Sequence, residues 1–187
     1  LYYMFYTEQL VLTGALDDVG AAIRENIGES YRAGIEVDIA YRFNDKLDWR
    51  PNIALSANKN VDFVIEGEDG IEELGDTDIA FSPNVVIGNA VIFRPIDHVE
   101  MGLYKKYVGE QFMSNVEAES SLLDSYLVND LKIGYSLYPQ SNGIQRIGFD
   151  LLVNNLLDEE YVSNGYWFDG YAGYYPQAGI NFLAALT

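Results

Sequence analysis

The sequence predicts an all-β fold: an antiparallel wall of about eight meandering strands belonging to a transmembrane β-barrel. Three observations lead there. Segments of near two-residue periodicity are joined alternately by long acidic or aromatic connections and by tight polar turns. The tight turns fall at 44–46, 95–97 and 139–143, and the long connections run roughly over 14–30, 66–78, 109–124 and 155–177. Long on one side and short on the other is the layout of a membrane barrel, with turns in the periplasm and loops outside the cell. No run of about 18 apolar residues offers a membrane helix, but barrel strands need only about 9–11 residues. Fifteen Tyr against 11 Lys and Arg is a heavy aromatic load, of the kind barrels place at both membrane interfaces.

The elements follow in order. An opening strand covers 1–12. Residues 31–43 give the clearest strand, because successive side chains of a strand point to opposite faces. One parity reads Tyr31, Ala33, Ile35, Val37, Ile39, Tyr41, Phe43, and the other Arg32, Gly34, Glu36, Asp38, Ala40, Arg42. A helix would scatter those charges around its circumference. Next, Leu47, Trp49, Ile53 and Leu55 oppose Asp48, Arg50, Asn52 and Ser56. Pro51 is awkward there, since it removes a ladder donor. Val85, Ile87, Val91 and Phe93 share a face, with Val86 and Asn89 blurring the pattern. Met101 and Leu103 oppose Glu100, Gly102 and Tyr104. Leu131, Ile133, Tyr135 and Leu137 oppose Asp130, Lys132, Gly134 and Ser136. Ile147, Phe149, Leu151 and Val153 oppose Arg146, Gly148, Asp150 and Asn154. Ile180, Phe182, Ala184 and Leu186 close the set.

Alternation by itself is symmetric between two folds. In a soluble sandwich the apolar face is the core, whereas in a membrane barrel it meets lipid. Loop asymmetry and the aromatic strand ends favour the barrel. A soluble β-sandwich binding module and a complete small eight-stranded outer-membrane barrel with a structural or adhesive role are the alternatives.

Composition narrows the function. A formal net charge of -18 argues against nucleic-acid binding through phosphates. Cysteine is absent, which removes disulfides, thiol chemistry and Cys-based zinc sites. The chain opens Leu1-Tyr2-Tyr3-Met4-Phe5-Tyr6, already strand-like, with no basic leader and no small-residue cleavage site. It reads as part of something larger.

Five pieces of text resemble one family. Residues Tyr174-Tyr175-Pro176-Gln177-Ala178-Gly179-Ile180-Asn181-Phe182, continuing to Thr187, resemble the last strand of TonB-dependent outer-membrane receptors, especially those of the Bacteroidetes. Val153-Asn154-Asn155-Leu156-Leu157-Asp158-Glu159-Glu160-Tyr161 is similar to the family's V-x-N-L-F-D-x-x-Y stretch. Ser30-Tyr31-Arg32-Ala33-Gly34-Ile35-Glu36, Phe81-Ser82-Pro83-Asn84 with Gly88-Asn89, and Lys106-Tyr107-Val108-Gly109-Glu110-Gln111-Phe112 match further pieces in order. The family usually ends a few residues later, on an aromatic. The resemblance implies that 1–187 is the C-terminal portion of a barrel of about 22 strands, plugged by an N-terminal domain outside this chain. It also implies the partners: outer-membrane lipid, the plug and remaining strands, TonB through an N-terminal segment, and a small extracellular ligand. The ending is less like that of the glycan-importing SusC-type subgroup, so a siderophore or other metal chelate is favoured as cargo.

Catalysis finds little support. His98 is the one histidine and sits in a tight turn, and no nucleophile triad or phosphate-cradling glycine loop is present. No cofactor or metal centre is expected. The acidic segment 66–78 carries Glu66, Glu68, Asp69, Glu72, Glu73, Asp76 and Asp78. It reads either as a divalent-cation site or as a solvated surface loop, and its spacing is not that of an EF-hand. The aromatic loop 161–175 offers Tyr166, Trp167, Phe168 and Tyr171 as candidate ligand contacts, Trp167 and Phe168 foremost. Self-packing of that loop is the competing explanation. A third set, Arg32, Glu36, Asp38, Arg42, Asp130, Lys132, Arg146 and Asp150, is expected to form cross-strand ion pairs inside the barrel.

Overall fold

The computed structural model describes residues 1–16, 18–19, 21–67, 70–140, 143–168 and 170–187. Side chains at 11–16, 22, 25, 27 and 66–67 are outside that description, as are Glu68, Asp69, Asp169 and residues 141–142 of the expected tight turn.

Fourteen strands are present: β1 (Tyr2–Leu16), β2 (Ala22–Asp38), β3 (Tyr41–Asn44), β4 (Leu47–Gly67), β5 (Gly70–Asp78), β6 (Val85–Phe93), β7 (Val99–Val108), β8 (Gln111–Phe112), β9 (Leu122–Leu123), β10 (Tyr126–Leu137), β11 (Ile147–Asn154), β12 (Val162–Phe168), β13 (Tyr171–Pro176) and β14 (Asn181–Leu186). A 3-10 turn, Glu119–Ser121, precedes β9. The wall is one antiparallel sheet whose spatial order, β1-β2-β4-β6-β7-β10-β11-β14, is also the chain order. That is an eight-strand meander, as the alternation predicts. β3 prolongs β2, and β5 leads into β6. Among the described residues β1 and β14 are paired on one side only.

Register sorts the faces. Ile35 stands opposite Leu55, and Val37 opposite Ile53. The row continues from Ile53 to Ile87 and from Ile87 to Tyr107. Leu131 lies between Leu103 and Val153, and Ile133 between Met101 and Leu151. Val153 then meets Phe182. The apolar parity of every wall strand therefore falls on one continuous face. That face is bare: Ile35, Phe43, Phe93, Tyr135, Phe149 and Phe182 are exposed, Phe182 to 74%. A sandwich would cover it with a second sheet, and no described element does so. A transmembrane barrel wall presents such a band to lipid.

Pro51 turns out to be tolerated at modest cost. Its carbonyl accepts the Ile39 N–H at 3.0 Å, and the ladder between β2 and β4 is interrupted only at 39–40. Asp38 opposite Asn52 and Tyr41 opposite Trp49 keep one register across the gap.

Two expected long loops are corrected. β1 and β2 continue to Leu16 and Ala22, which stand opposite each other within the expected connection 14–30. β4 likewise reaches Gly67, opposite Gly70 at the start of β5, within the expected connection 66–78. Both are tall hairpins that prolong the wall beyond its apolar band. Out there Phe63 packs with Ile65 and Leu74 while Val64 and Ile71 stay exposed among acidic residues, so apolar and polar side chains occupy both parities and the period-2 signal blurs although the described strands remain paired. The asymmetry between the two rims survives. The rim bearing these hairpins is called upper here, and the rim with tight turns lower. The other two long connections, 109–125 and 155–180, hold β8, β9, β12 and β13 and pack together at the upper rim.

At the lower rim, Asp48 is nearly fully buried and gathers Arg42 at 2.8 Å, Arg94 at 3.0 Å and Arg50 at 3.6 Å. Arg94 also reaches Glu100 at 2.9 Å, and Lys132 meets Asp150 at 3.4 Å. The expected pairing therefore holds for Arg42, Lys132 and Asp150. Arg32 instead donates to Asn58 and Ser82, both at 3.1 Å, and Arg146 donates to Ser136 at 3.0 Å. Glu36 and Asp38 stay exposed. His98 lies in its turn with a positive φ of 68° and its ring 5.2 Å from that of Tyr138.

Candidate functional site

Two inserted loops build the site. The first is 109–125. Its ends zip through β8 and β9, with Gln111 opposite Leu123 and Phe112 opposite Leu122. Met113 N–H donates to Ser121 O at 2.7 Å, and Ser121 turns back on Ala118 O through both its N–H and its hydroxyl. The loop then docks on the wall. Phe81 N–H donates to Phe112 O at 2.8 Å, and Ala80 N–H to Asn115 Oδ1 at 2.8 Å. Asp78 N–H donates to Glu117 Oε1. Lys59, two-thirds buried, bridges Asp78 at 2.8 Å and Glu117 at 3.6 Å. The hydrogen bond from Lys59 to Asp78 lifts the ammonium above its ordinary pKa, outweighing desolvation. Met113 and Leu123 are buried among Ser114, Asn115 and Ser121, so this loop is a packed layer.

The second insert is the hairpin of β12 and β13. Phe168 and Tyr171 face each other at its tip, and Gly165 faces Tyr174. Glycines set its packing. A Cβ on Gly173 would strike the ring of Tyr166, and one on Gly165 would come within 2.6 Å of Met113 Sδ and collide with the Gly173 carbonyl. The two inserts therefore interlock through Met113. Trp167 adds a bond, its Nε1–H donating to Ser120 Oγ at 2.8 Å.

The stretch 153–161 explains itself structurally. Asn155, buried with φ 49°, donates its N–H to Asp130 Oδ1 at 2.8 Å. Its side-chain amide donates to the carbonyls of Glu159 at 2.9 Å and Ala178 at 3.2 Å and accepts the Glu159 N–H at 2.9 Å. Asp158, with φ 54°, accepts the Ile180 N–H at 2.7 Å. Asn and Asp tolerate that left-handed backbone better than other side chains. The motif is thus a clasp that binds β10, β11 and β14 at the base of the hairpin.

Between the inserts lies a cavity of about 470 Å³ lined by Asp124, Glu159, Glu160, Tyr161 and Tyr174, with Leu122, Val162 and Pro176 among its apolar walls. Burial, reinforced by the charge of Asp130, raises the Tyr161 phenol above its ordinary pKa. Its ring lies 4.5 Å from that of Tyr126.

The four aromatic candidates divide. Tyr166 packs on Gly173, with its ring 6.1 Å from that of Tyr175, and Trp167 ties the inserts together. Phe168 and Tyr171 remain exposed at the tip, Tyr171 to 77%. None of the four lines the cavity. Tyr161 and Tyr174 of its lining belong to the aromatic loop read from the sequence, whereas Asp124, Glu159 and Glu160 do not, because the docked loops bring together positions from 122–125 and 159–179. Among the described residues no three His, Asp or Glu side chains converge as metal ligands, and Glu66, Glu68 and Asp69 of the acidic segment lie outside the described side chains. Asp76 instead accepts the Asp62 N–H at 3.2 Å, and Asp78 is held by Lys59.

No protein-family model matches the sequence, nor does any curated protein. Solved structures do match. The chain is similar to the closed form of the ferric-catecholate import receptor Fiu of E. coli K12, with 17% identity and a TM-score of 0.67 over 97% of this chain and 23% of that one. It is similar to the ferric yersiniabactin uptake receptor FyuA of Yersinia pestis, with 15% identity and a TM-score of 0.69 over 97% of this chain and 25% of that one. It is also similar to the siderophore receptor PiuA of Acinetobacter baumannii, with 15% identity and a TM-score of 0.70 over 98% of this chain and 24% of that one. The chain thus spans about a quarter of the length of these receptors. At this level of identity the likeness establishes architecture alone: the chain has the fold of one stretch of the antiparallel barrel wall of these receptors.

Proposed function

We propose that this chain is the C-terminal wall of an outer-membrane receptor that imports a scarce extracellular ligand with energy delivered through TonB. The observation that carries this reading is the continuous exposed apolar face across eight strands, joined to two folded inserts at one rim. Lipid cannot satisfy an open sheet edge. Among the described residues β1 and β14 each hydrogen-bond to one neighbouring strand, with β12 lying close to β1, and on this reading further strands continue these edges and a plug fills the lumen. A ferric chelate is the favoured cargo, because the matched solved structures are receptors for such ligands. Membership in the Bacteroidetes branch rests on the sequence resemblance of the last strand and the 153–161 clasp. The chain itself carries no catalytic step; it supplies barrel wall and an extracellular binding surface, with Phe168 and Tyr171 as first contacts for an arriving ligand.

The test is uptake of radiolabelled ferric chelates by cells carrying the full protein, with and without an intact TonB system. Accumulation that requires both supports import. Accumulation that proceeds equally without TonB, or no accumulation with TonB intact, contradicts it.

A further inference from the structure

Charge is segregated along the barrel axis. The upper segments 61–84, 109–125 and 155–179 carry sixteen Asp and Glu and no Lys or Arg. Arg24 is the basic residue of the first upper hairpin, and all other Lys and Arg lie within 32–59, 94–106 and 132–146. The net charge of -18 is therefore concentrated at the rim that holds the two inserts. Lys59, the basic residue reaching that rim from β4, is already engaged by Asp78 and Glu117.

The cavity between the inserts repeats this character. Asp124 enters from the first insert, Glu159 and Glu160 from the clasp, and the rings of Tyr161 and Tyr174 stand beside them. Among the described residues none of these three carboxylates has an ion-pair partner, in contrast to Asp48, Asp78 and Asp150. Nor do they converge as a metal-binding group. Carboxylates spaced around aromatic faces suit an ammonium or guanidinium group, which gains both charge attraction and the ring quadrupole. A polyanionic ligand would meet like charge during approach and again on docking.

We infer that this cavity takes a positively charged organic group of the imported ligand, so that the cargo is cationic and not a polyanionic chelate. This rests on the import reading above and refines its substrate class. Three ferric probes test it with the full protein: a trihydroxamate chelate bearing a free amine, the same chelate acetylated to neutrality, and a trianionic tris-catecholate complex. Affinities are read by quenching of tryptophan fluorescence at low and high salt, and TonB-dependent uptake of each probe is measured alongside.

The amine-bearing chelate is expected to bind about tenfold more tightly than its acetylated form, with the margin shrinking in salt. Neutralising the exposed cavity carboxylates together (Asp124→Asn, Glu159→Gln, Glu160→Gln) abolishes that preference. Neutralising Glu72 and Glu73 on the separate acidic hairpin leaves it standing. Equal or tighter binding of the neutral or trianionic probe overturns the inference, as does a preference untouched by the cavity variant or a failure of the amine-bearing probe to bind. Energised uptake of any of the three probes keeps the import reading whichever order the affinities take, so the two can fail separately.

Discussion

Trp167 donates its indole N–H to Ser120 Oγ at 2.8 Å, which fastens the hairpin of β12 and β13 to the 3-10 turn of the preceding insert. Two segments some 47 positions apart in the chain become one layer at the upper rim. Trp167→Phe keeps the ring and removes the donor. The expected cost is about 1 kcal/mol, localised to the inserts. Hydrogen exchange should quicken at β9 and β12 and stay unchanged in β4, β6 and β7.

Gly165 packs against Met113 and the opposing Gly173 carbonyl with no room for a side chain. Gly165→Ala should cost about 1–3 kcal/mol by overpacking and open the inserts to limited proteolysis. Met113→Ala in the same background relieves half of the clash, so the double variant should lose less than the separate effects sum to.

Asn155 replaced by Ala loses three side-chain hydrogen bonds at a buried left-handed position. The expected loss is about 2–4 kcal/mol, seen as a lower unfolding midpoint in denaturant. Asn155→Gly removes the same bonds but relaxes the backbone, so it should fall between Asn155→Ala and the parent. Asp158→Ala forfeits one bond to Ile180 and should cost less than either.

Lys59 neutralises two carboxylates where the first insert meets the wall. Its pKa is raised in the folded state, chiefly by Asp78. The stability it brings is therefore full below the unfolded-state lysine pKa and is lost as pH rises through the raised value. Lys59→Met should loosen the insert at neutral pH, because Asp78 and Glu117 then face each other uncompensated. High salt, which screens charge repulsion, should shrink the difference between variant and parent in exchange or proteolysis.

Much of the wall was legible in the sequence, because lipid on one side and water on the other write a two-residue period into most wall strands between Tyr31 and Leu186, with β6 blurred at Val86 and Asn89. The pairing of Ile35 with Leu55 and of Leu131 with Leu103 could be read from parity. Where the wall rises past the apolar band the alternation blurs, so 14–30 and 66–78 looked like loops although Leu16 pairs with Ala22 and Gly67 with Gly70. The site was less legible. Tyr166 and Trp167 stood out as aromatic, but aromatic side chains pack and bind by the same surface, and here Gly173 and Ser120 claim them. The cavity depends on where 109–125 folds, and that is decided by backbone bonds to Ala80 and Phe81 that leave no periodic trace.

The central claim is that one face of this sheet meets lipid and the other meets water. The chain contains no cysteine, so single cysteines can be introduced cleanly within it. Spin labels placed in turn at Ile35, Glu36, Val37, Asp38, Asn52 and Ile53 of the full protein in bilayers can be titrated with oxygen and with a water-soluble nickel chelate. Positions 35, 37 and 53 should collide with oxygen and exclude the chelate, while 36, 38 and 52 should show the reverse. Protection of 35, 37 and 53 from both reagents would mean a buried protein core behind that face and would contradict the barrel wall.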